Sequence, residues 1–324
     1  MSDHAQLKGD FAFFNRKPAQ SDVLAEVKVG LQQEPKRISP KYFYDERGSK
    51  LFEQITQLDE YYLTRTELEL FDICLPEVAK LLPERLCLLE YGSGSSLKIR
   101  KVLNEIVPTA YVPIDISAEH LKQNALALHA DFPGLAVYPV CADITQQVEL
   151  PPGLEELTKV AFFPGSSIGN FDPDEASDFL ENVRQTIGSG GYLLIGVDRK
   201  KNREVLEAAY NDARGVTAEF NLNVLHHLNS QMRADFAVDQ FEHVANYNEE
   251  EGCIQMFLRS KAEQVVTIAD IHVALDEDEL VHTENSFKYH PDEFQNLAAL
   301  AGYTLVERFD DARDWFSIYL LCAD

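Results

Sequence analysis

Basic residues are scarce in this chain: 29 Lys and Arg stand against 54 Asp and Glu, a formal charge of −25 over 324 residues. Such a chain lacks the basic patch that releases counterions from nucleic acid or docks on an anionic bilayer, so neither is expected as a partner, and the acidity reads as solubility. The five cysteines, Cys74, Cys87, Cys141, Cys253 and Cys322, are odd in number and never fall at C-x-x-C spacing. This argues against a disulfide framework and reads as reduced core thiols. Nine histidines include the adjacent His226 and His227 but no H-E-x-x-H spacing, so no metal is expected. No segment approaches the ~18 uninterrupted apolar residues of a membrane span. The opening residues show no basic region leading into an apolar one, and a cytoplasmic location is expected. Internal repeats and low-complexity runs are also missing.

What remains is an ordinary globular sequence, 45% hydrophobic and long enough for one large domain or two moderate ones. A further absence carries the most information. Residues 86–100, LCLLEYGSGSSLKIR, run an apolar strand into Gly92-Ser93-Gly94-Ser95-Ser96, the way a parallel sheet presents backbone N–H groups to a small polar ligand. A dinucleotide turn, G-x-G-x-x-G, needs a third glycine so that the next helix can close on the strand and seat a pyrophosphate. Leu97 stands there instead, which argues against a nicotinamide oxidoreductase. Glu90, two residues before Gly92, adds a negative charge that suits a cationic or hydroxyl-rich ligand better than a diphosphate. S-adenosylmethionine has a sulfonium and no phosphate. On these residues alone, a tight βα turn without a ligand stays open.

Ahead of the turn, residues 40–62 (PKYFYDERGSKLFEQITQLDEYY) mix aromatics with charges in the manner of a cap or lid. Thr64 and Glu67 have the spacing of a capping box, opening a helix that runs towards Leu82 and ends at Pro83. From there strands and helices alternate: CLLEY, a helix from Ser96, AYVPID, a helix capped by Ser117, AVYPVCAD, and VAFFPGSSIGN. A helix opened by Asp172-Pro173-Asp174-Glu175 and the strand GYLLIGVD complete the run, the βαβ pattern of a parallel sheet. Residues 199–285 depart from it, with a polar helical stretch and then QMFLRS and QVVTIADIHVAL as antiparallel strands. The first pattern resumes with a helix near Pro291 and the strands TLVERF and WFSIYLLC. The expected division is residues 63–198 with 286–324 as the cofactor domain, and 1–62 with 199–285 as a substrate-binding cap.

The acidic residues follow the strand ends. Asp115 closes AYVPID 23 residues after Gly92, where a carboxylate accepts from ribose hydroxyls. Asp143, in CADI, is placed to accept from an adenine amino group, with Ile144 covering the ring. Either aspartate alone reads equally as a helix cap. Glu90, Asp115 and Asp143 at three successive strand ends are harder to explain so, because ligands bind where those ends converge. In FFPGSSIGNF, Asn170 is an amide able to accept from an amine and donate to a carboxylate, as amino-acid recognition requires; a turn-forming asparagine is the alternative.

Five segments together, KYFYDERGSKLFEQIT-x-L-x-EYY-x-TRTE, EYGSGSSLKIR, GSSIGN, AYND-x-x-GVTAEFN-x-NVL and TENSFKY, resemble in order the histidine-specific Nα-methyltransferases that form the trimethylated betaine of ergothioneine biosynthesis. The resemblance implies an α/β, class I methyltransferase fold, a Rossmann-like, seven-stranded and mostly parallel sheet, with a second α+β domain. It implies S-adenosylmethionine as cofactor, with S-adenosylhomocysteine as product, contacted by Tyr44, Gly92, Lys98, Asp115, Asp143 and Ile144. It implies Asn170 and Tyr210 at the α-amine and α-carboxylate of the substrate, Tyr61, Glu284 and Ser286 at the imidazole, and Met256 lining that pocket. Relatives often have Phe at position 144, and Val and Cys at 285 and 287, where this chain has Ile144, Asn285 and Phe287. Fungal relatives that act on an indole amino acid share the fold.

The residues can be read chemically beside this resemblance. Glu284 and Ser286, two apart on an extended segment, point to one face and can engage both nitrogens of an imidazole. An indole leaves the carboxylate unpaired, at roughly 1–3 kcal/mol or more, so histidine is favoured over tryptophan. Methyl transfer to an amine is an in-line displacement that mainly needs alignment. Asn170, Tyr61 and Tyr44 are the candidates for it, with the rings accommodating the growing ammonium. No dedicated base is evident. A small-molecule substrate and a monomer are expected; methylation of another aromatic amino acid, and cofactor binding without catalysis, are the competing functions.

Overall fold

The computed structural model describes residues 10–16, 20–94 and 96–324; Ser95 of the glycine turn and positions 1–9 and 17–19 of the expected cap lie outside the described residues. In chain order the strands are β1 (Phe14–Asn15), β2 (Leu86–Tyr91), β3 (Ala110–Asp115), β4 (Ala136–Val137), β5 (Val140–Cys141), β6 (Thr158–Phe163), β7 (Tyr192–Asp198), β8 (Phe241–Asn248), β9 (Cys253–Ser260), β10 (Gln264–Ile268), β11 (Ile271–Leu275), β12 (Leu280–Phe287), β13 (Tyr303–Asp310) and β14 (Phe316–Ala323). The α-helices are α1 (Gln20–Gln32), α2 (Glu46–Ile55), α3 (Tyr62–Leu81), α4 (Ser96–Ile106), α5 (Ala118–Asp131), α6 (Pro173–Ile187), α7 (Arg203–Tyr210), α8 (Val216–Met232) and α9 (Pro291–Leu300).

The chain forms two compact units. The first comprises residues 10–16, Leu63–Lys200 and Tyr289–Asp324. Its sheet runs β1-β5-β3-β2-β6-β7-β14-β13, with β4 beside β3. Pairing is parallel from β1 through β7, and β14 lies antiparallel to both β7 and β13. β2 is buried at every position and β3 at all but its last, which is why both read as near-continuous apolar runs. Leu70, Phe71, Cys74 and Val78 of α3 pack with Leu88, Tyr111, Val160 and Phe162 of the sheet in one core. The chain steps outward from β2 to β3 and β5, then returns to β6 on the other side of β2. That reversal sets the carboxyl ends of β2, β3, β5 and β6 side by side at a topological switch point. This is the parallel sheet that the alternating pattern anticipates, in the strand order of the class I methyltransferase fold that the resemblance implies; it has nine strands where seven are expected, the short β1 and β4 being the additions.

Several local expectations change. AVYPVCAD forms two short strands, because Pro139 between them has no N–H for the ladder. α3 begins at Tyr62, two residues before Thr64, so the Thr64/Glu67 capping box does not form and Glu67 falls inside the helix. The Asp172 box does form, with Glu175 N–H donating to Asp172 at 2.9 Å and Asp172 N–H to Glu175 at 3.1 Å. The domain boundaries also differ. Residues 10–16 join the large sheet, where Phe14 pairs with Val140, and 286–288 belong with the second unit.

The second unit comprises residues 20–62 and Lys201–Lys288. It holds α1, α2, α7 and α8, a three-stranded antiparallel sheet β12-β9-β8 and the hairpin β10-β11. The expected long helical stretch breaks into α7 and α8. Asp212 at the break accepts N–H bonds from Val216 at 2.9 Å and Thr217 at 2.7 Å, and Gly215 takes the left-handed conformation at φ 74°. Asp45 caps α2 by accepting Gly48 N–H at 2.7 Å and holds Asn223 of α8 at 2.8 Å, so two of the sequence motifs are knitted together by one carboxylate. Gly48 is required there: a Cβ would lie 1.7 Å from the Phe43 carbonyl oxygen, whereas one at Gly94 would meet nothing within 4 Å.

Gly48→Ala is accordingly expected to cost at least ~3 kcal/mol, or to prevent folding, because a backbone carbonyl cannot step aside as a side chain tip can. Gly94→Ala should stay within about 1 kcal/mol of the parent. Thermal and urea melts of the two variants compare the costs; equal melts would contradict the role given to Gly48.

Candidate active site

At the switch point of the first unit, the β2 strand end leads into Gly92 at φ 73°, whose N–H donates to the Ile114 carbonyl at 2.9 Å while Ser93 N–H does so at 3.1 Å. These bonds extend the β2–β3 ladder past the strand and leave the turn open, since a Cβ at Gly92 would also meet nothing within 4 Å. Asp115 ends β3, half-buried, and accepts Ser117 N–H at 2.8 Å; burial nonetheless pushes its carboxyl above the ordinary range. Asp143, half-buried beyond β5, accepts from the Thr145 N–H at 3.0 Å and hydroxyl at 2.7 Å, forming an Asx turn that presents Ile144 beside it.

Glu90 behaves otherwise than expected. It is 2% exposed, and burial pushes its carboxyl up to about 7, opposed by donated bonds from the Tyr111 hydroxyl of neighbouring β3 and from Ser93. Its negative charge beside the turn is therefore only partly present near neutral pH. Lys98, on the first turn of α4, sits 2.6 Å from the carboxylate of the buried Glu67, whereas Arg100 pairs at the surface with Asp131 at 2.7 Å. Glu67 also accepts the Gly165 N–H with both oxygens, at 2.8 and 3.0 Å. Gly165 opens the turn that leads through Ser166, at φ 57°, to Asn170. Among the described residues, nothing hydrogen-bonds the half-buried Asn170 side chain. One cation and two carboxylates about a glycine turn fit S-adenosylmethionine by donor chemistry: a cation for its carboxylate, and acceptors for hydroxyl and amino groups.

The second unit gathers the other predicted residues. Met256 of β9 lies directly across from Glu284 of β12, and Glu284 and Ser286 are both buried while Asn285 turns away to bond His282 at 2.7 Å. The Tyr210 hydroxyl bonds Ser286 Oγ at 2.7 Å, and Lys288 donates to both, at 3.0 and 2.8 Å. Tyr44, Phe52, Phe220, Tyr61 and Tyr210 form a chain of ring contacts with centroids 5.6–6.3 Å apart. Glu284 is 7% exposed, and burial pushes its carboxyl up to about 8, against the opposing charge of Lys288. No donor among the described residues reaches its carboxylate.

Sequence reasoning missed four residues that set this geometry. Glu67 was assigned to a cap, and Lys288, the penultimate residue of TENSFKY, carried no role. Asn221 and His243 hold the Tyr210 carbonyl: His243 Nε2 bonds it at 2.9 Å while Nδ1 bonds Asn221 at 2.8 Å. His243 lies on β8, a strand too polar for its pattern to show. No group of metal-ligating side chains occurs among the described residues, and none of their helices is long and apolar enough to cross a membrane.

The raised Glu90 carboxyl makes stability depend on pH. An unfolded glutamate titrates near ~4.3, so the folded chain holds an extra proton between there and about 7. The stabilisation is complete below the lower value and lost as pH rises through the upper one. Glu90→Gln should remove on the order of 3 kcal/mol of pH-dependent stability across this range, read from urea melts across pH; an unchanged pH dependence would contradict the assignment.

Comparison with known proteins matches residues 23–323 to the model of the histidine-specific, SAM-dependent methyltransferases. The chain is 38% identical over 302 residues to a histidine N-alpha-methyltransferase of Mycobacterium tuberculosis, covering 91% of this chain and 93% of that protein. It is 36% identical over 301 residues to the enzyme of the same name from Mycolicibacterium smegmatis, with the same coverage of 91% and 93%. Ergothioneine biosynthesis protein 1 of Neurospora crassa is 28% identical over 89% of this chain and 33% of its own length. With residues 23–323 matched to the family model and two relatives at 36% and 38% identity over nearly the full length, the chain belongs to the histidine-specific, S-adenosylmethionine-dependent methyltransferase family.

Proposed function

We propose a division of labour for the Nα-methylation of histidine that this chain performs: the first unit holds the methyl donor and the second recognises the imidazole. Gly92, Lys98, Asp115, Asp143, Ile144 and Tyr44 are the proposed cofactor residues. Glu284 and Ser286 take the imidazole against Met256 and Tyr61. Asn170 and Tyr210 take the α-amine and α-carboxylate. One observation carries the substrate side: Glu284 is a buried carboxyl group with no donor among the described residues, next to a hydroxyl on the same strand face. Leaving such a group unsatisfied costs ~1–3 kcal/mol or more, and an imidazole N–H removes that cost.

Bound S-adenosylmethionine supplies an electrophilic methyl group on a sulfonium. The residues of the chain align and solvate. Asn170 orients the amine lone pair, and with no dedicated base evident the ammonium gives its proton to solvent before the in-line displacement. The electron-rich faces of Tyr44 and Tyr61 favour each successive ammonium by ~0.5–2 kcal/mol. Recognition through the imidazole and carboxylate leaves the amine's substituents unread, so mono- and dimethylated intermediates are held as well as histidine. The same reading takes the enzyme as a cytoplasmic monomer, in keeping with cysteines that form no disulfide.

Two outcomes follow. Histidine with excess cofactor should give the trimethylated betaine as the main product by mass spectrometry, and a product halted at one methyl would overturn the reading. The affinity for histidine, measured by calorimetry with S-adenosylhomocysteine present, should peak between the imidazole's ~6.5 and the Glu284 value of about 8. In that window the pair holds one shared proton; below it an extra proton must leave, and above it the shared one is lost. Glu284→Gln should weaken binding about 10- to 100-fold and flatten the alkaline limb.

A further inference from the structure

Glu67 sits in the helix interior of α3, 0% exposed, in a place made for a carboxylate. Its two oxygens take the Gly165 N–H at 2.8 and 3.0 Å and the Lys98 ammonium at 2.6 Å. Two glycines make the room. A Cβ on Gly196 of β7 would stand 2.1 Å from Glu67 Oε1, and one on Gly165 would stand 3.0 Å from Lys98 Nζ. A buried carboxylate is retained only where it is paired and hydrogen-bonded, and here the bonds reach the first turn of α4 and the turn after β6, joining both to α3. Lysine is a compact charge on a flexible stem, so an ammonium that must meet a ligand at one point gains most from an anchor.

We infer that Glu67 is a positioning residue for the amino-acid end of the methyl donor: it fixes the Lys98 ammonium and, through Gly165, the turn leading to Asn170. This rests on the proposed placement of the donor at Lys98. The only anion on S-adenosylhomocysteine is its carboxylate, so Lys98 acts on that group, and 5′-methylthioadenosine, which lacks the amino-acid portion, is blind to it. The two compounds therefore separate positioning of Lys98 from general damage to the fold.

The test is isothermal titration of the full chain with each compound. In Glu67→Gln, which keeps the shape and one acceptor but loses the charge, affinity for S-adenosylhomocysteine should fall about tenfold while that for 5′-methylthioadenosine stays within about twofold. In a Lys98→Met background, Glu67→Gln should add no further loss of S-adenosylhomocysteine affinity. Equal losses for both compounds, or a full additional loss in the Lys98→Met background, would overturn the inference. Should Glu67→Gln not fold, Glu67→Asp draws the charge back by one methylene and is read in the same way, with an unchanged ratio of affinities counting against. A wild-type chain that fails to bind S-adenosylhomocysteine would instead remove the placement of the donor itself.

Discussion

A carboxylate taken out of water must find a cation, take up a proton or meet a ligand, and three buried glutamates of this chain follow these three courses. Glu67 holds Lys98 and a backbone N–H. Glu90 accepts from the Tyr111 hydroxyl, and its carboxyl rises to about 7. Glu284 has no donor among the described residues, and its carboxyl rises to about 8. The first two organise the switch point of the parallel sheet. The third stays available for a group from outside the chain, which is how a binding site is chemically distinguished from a core.

The surrounding structure gives these glutamates their places. The reversal from β5 back to β6 aligns the strand ends that bear Glu90, Asp115, Asp143 and the turn to Asn170. In the second unit, Asp45 and Asp212 set the starts of α2 and α8, and so the directions from which Tyr44, Phe220 and Tyr210 approach one another. Lys288, 1% exposed and bonded to Tyr210 and Ser286, orders the polar face beside Glu284. In the proposed reading, this chain selects histidine by hydrogen-bond supply: a carboxyl wanting a partner beside hydroxyls already ordered.

Much of this was legible before any coordinates. Continuous apolar runs at β2 and β3, glycine after the strand, and acids at strand ends are local signals, and the sheet and cofactor follow from them. Glu284 and Ser286 were legible as a pair because strand periodicity fixes their common face. Glu67 is misread from sequence because T-x-x-E is the sequence of a capping box whether or not the helix begins there, and α3 begins two residues earlier, at Tyr62. Pro139 broke a strand that its neighbours favoured. β8 escaped notice because its residues are half-buried on both faces, which leaves no alternation. Lys288 was invisible as a functional group because burial of a lysine, the property that makes it informative, is a tertiary fact.

The central claim is that Glu284 meets the imidazole, and ring-labelled 15N-histidine bound to the wild-type chain with S-adenosylhomocysteine tests it most directly. The imidazole nitrogen shifts, followed by NMR across pH, should show a hydrogen-bonded ring that keeps its proton well above the ~6.5 of the free side chain. A bound ring that titrates as free histidine does, or one equally unshifted in the wild type and in Glu284→Gln, would contradict it.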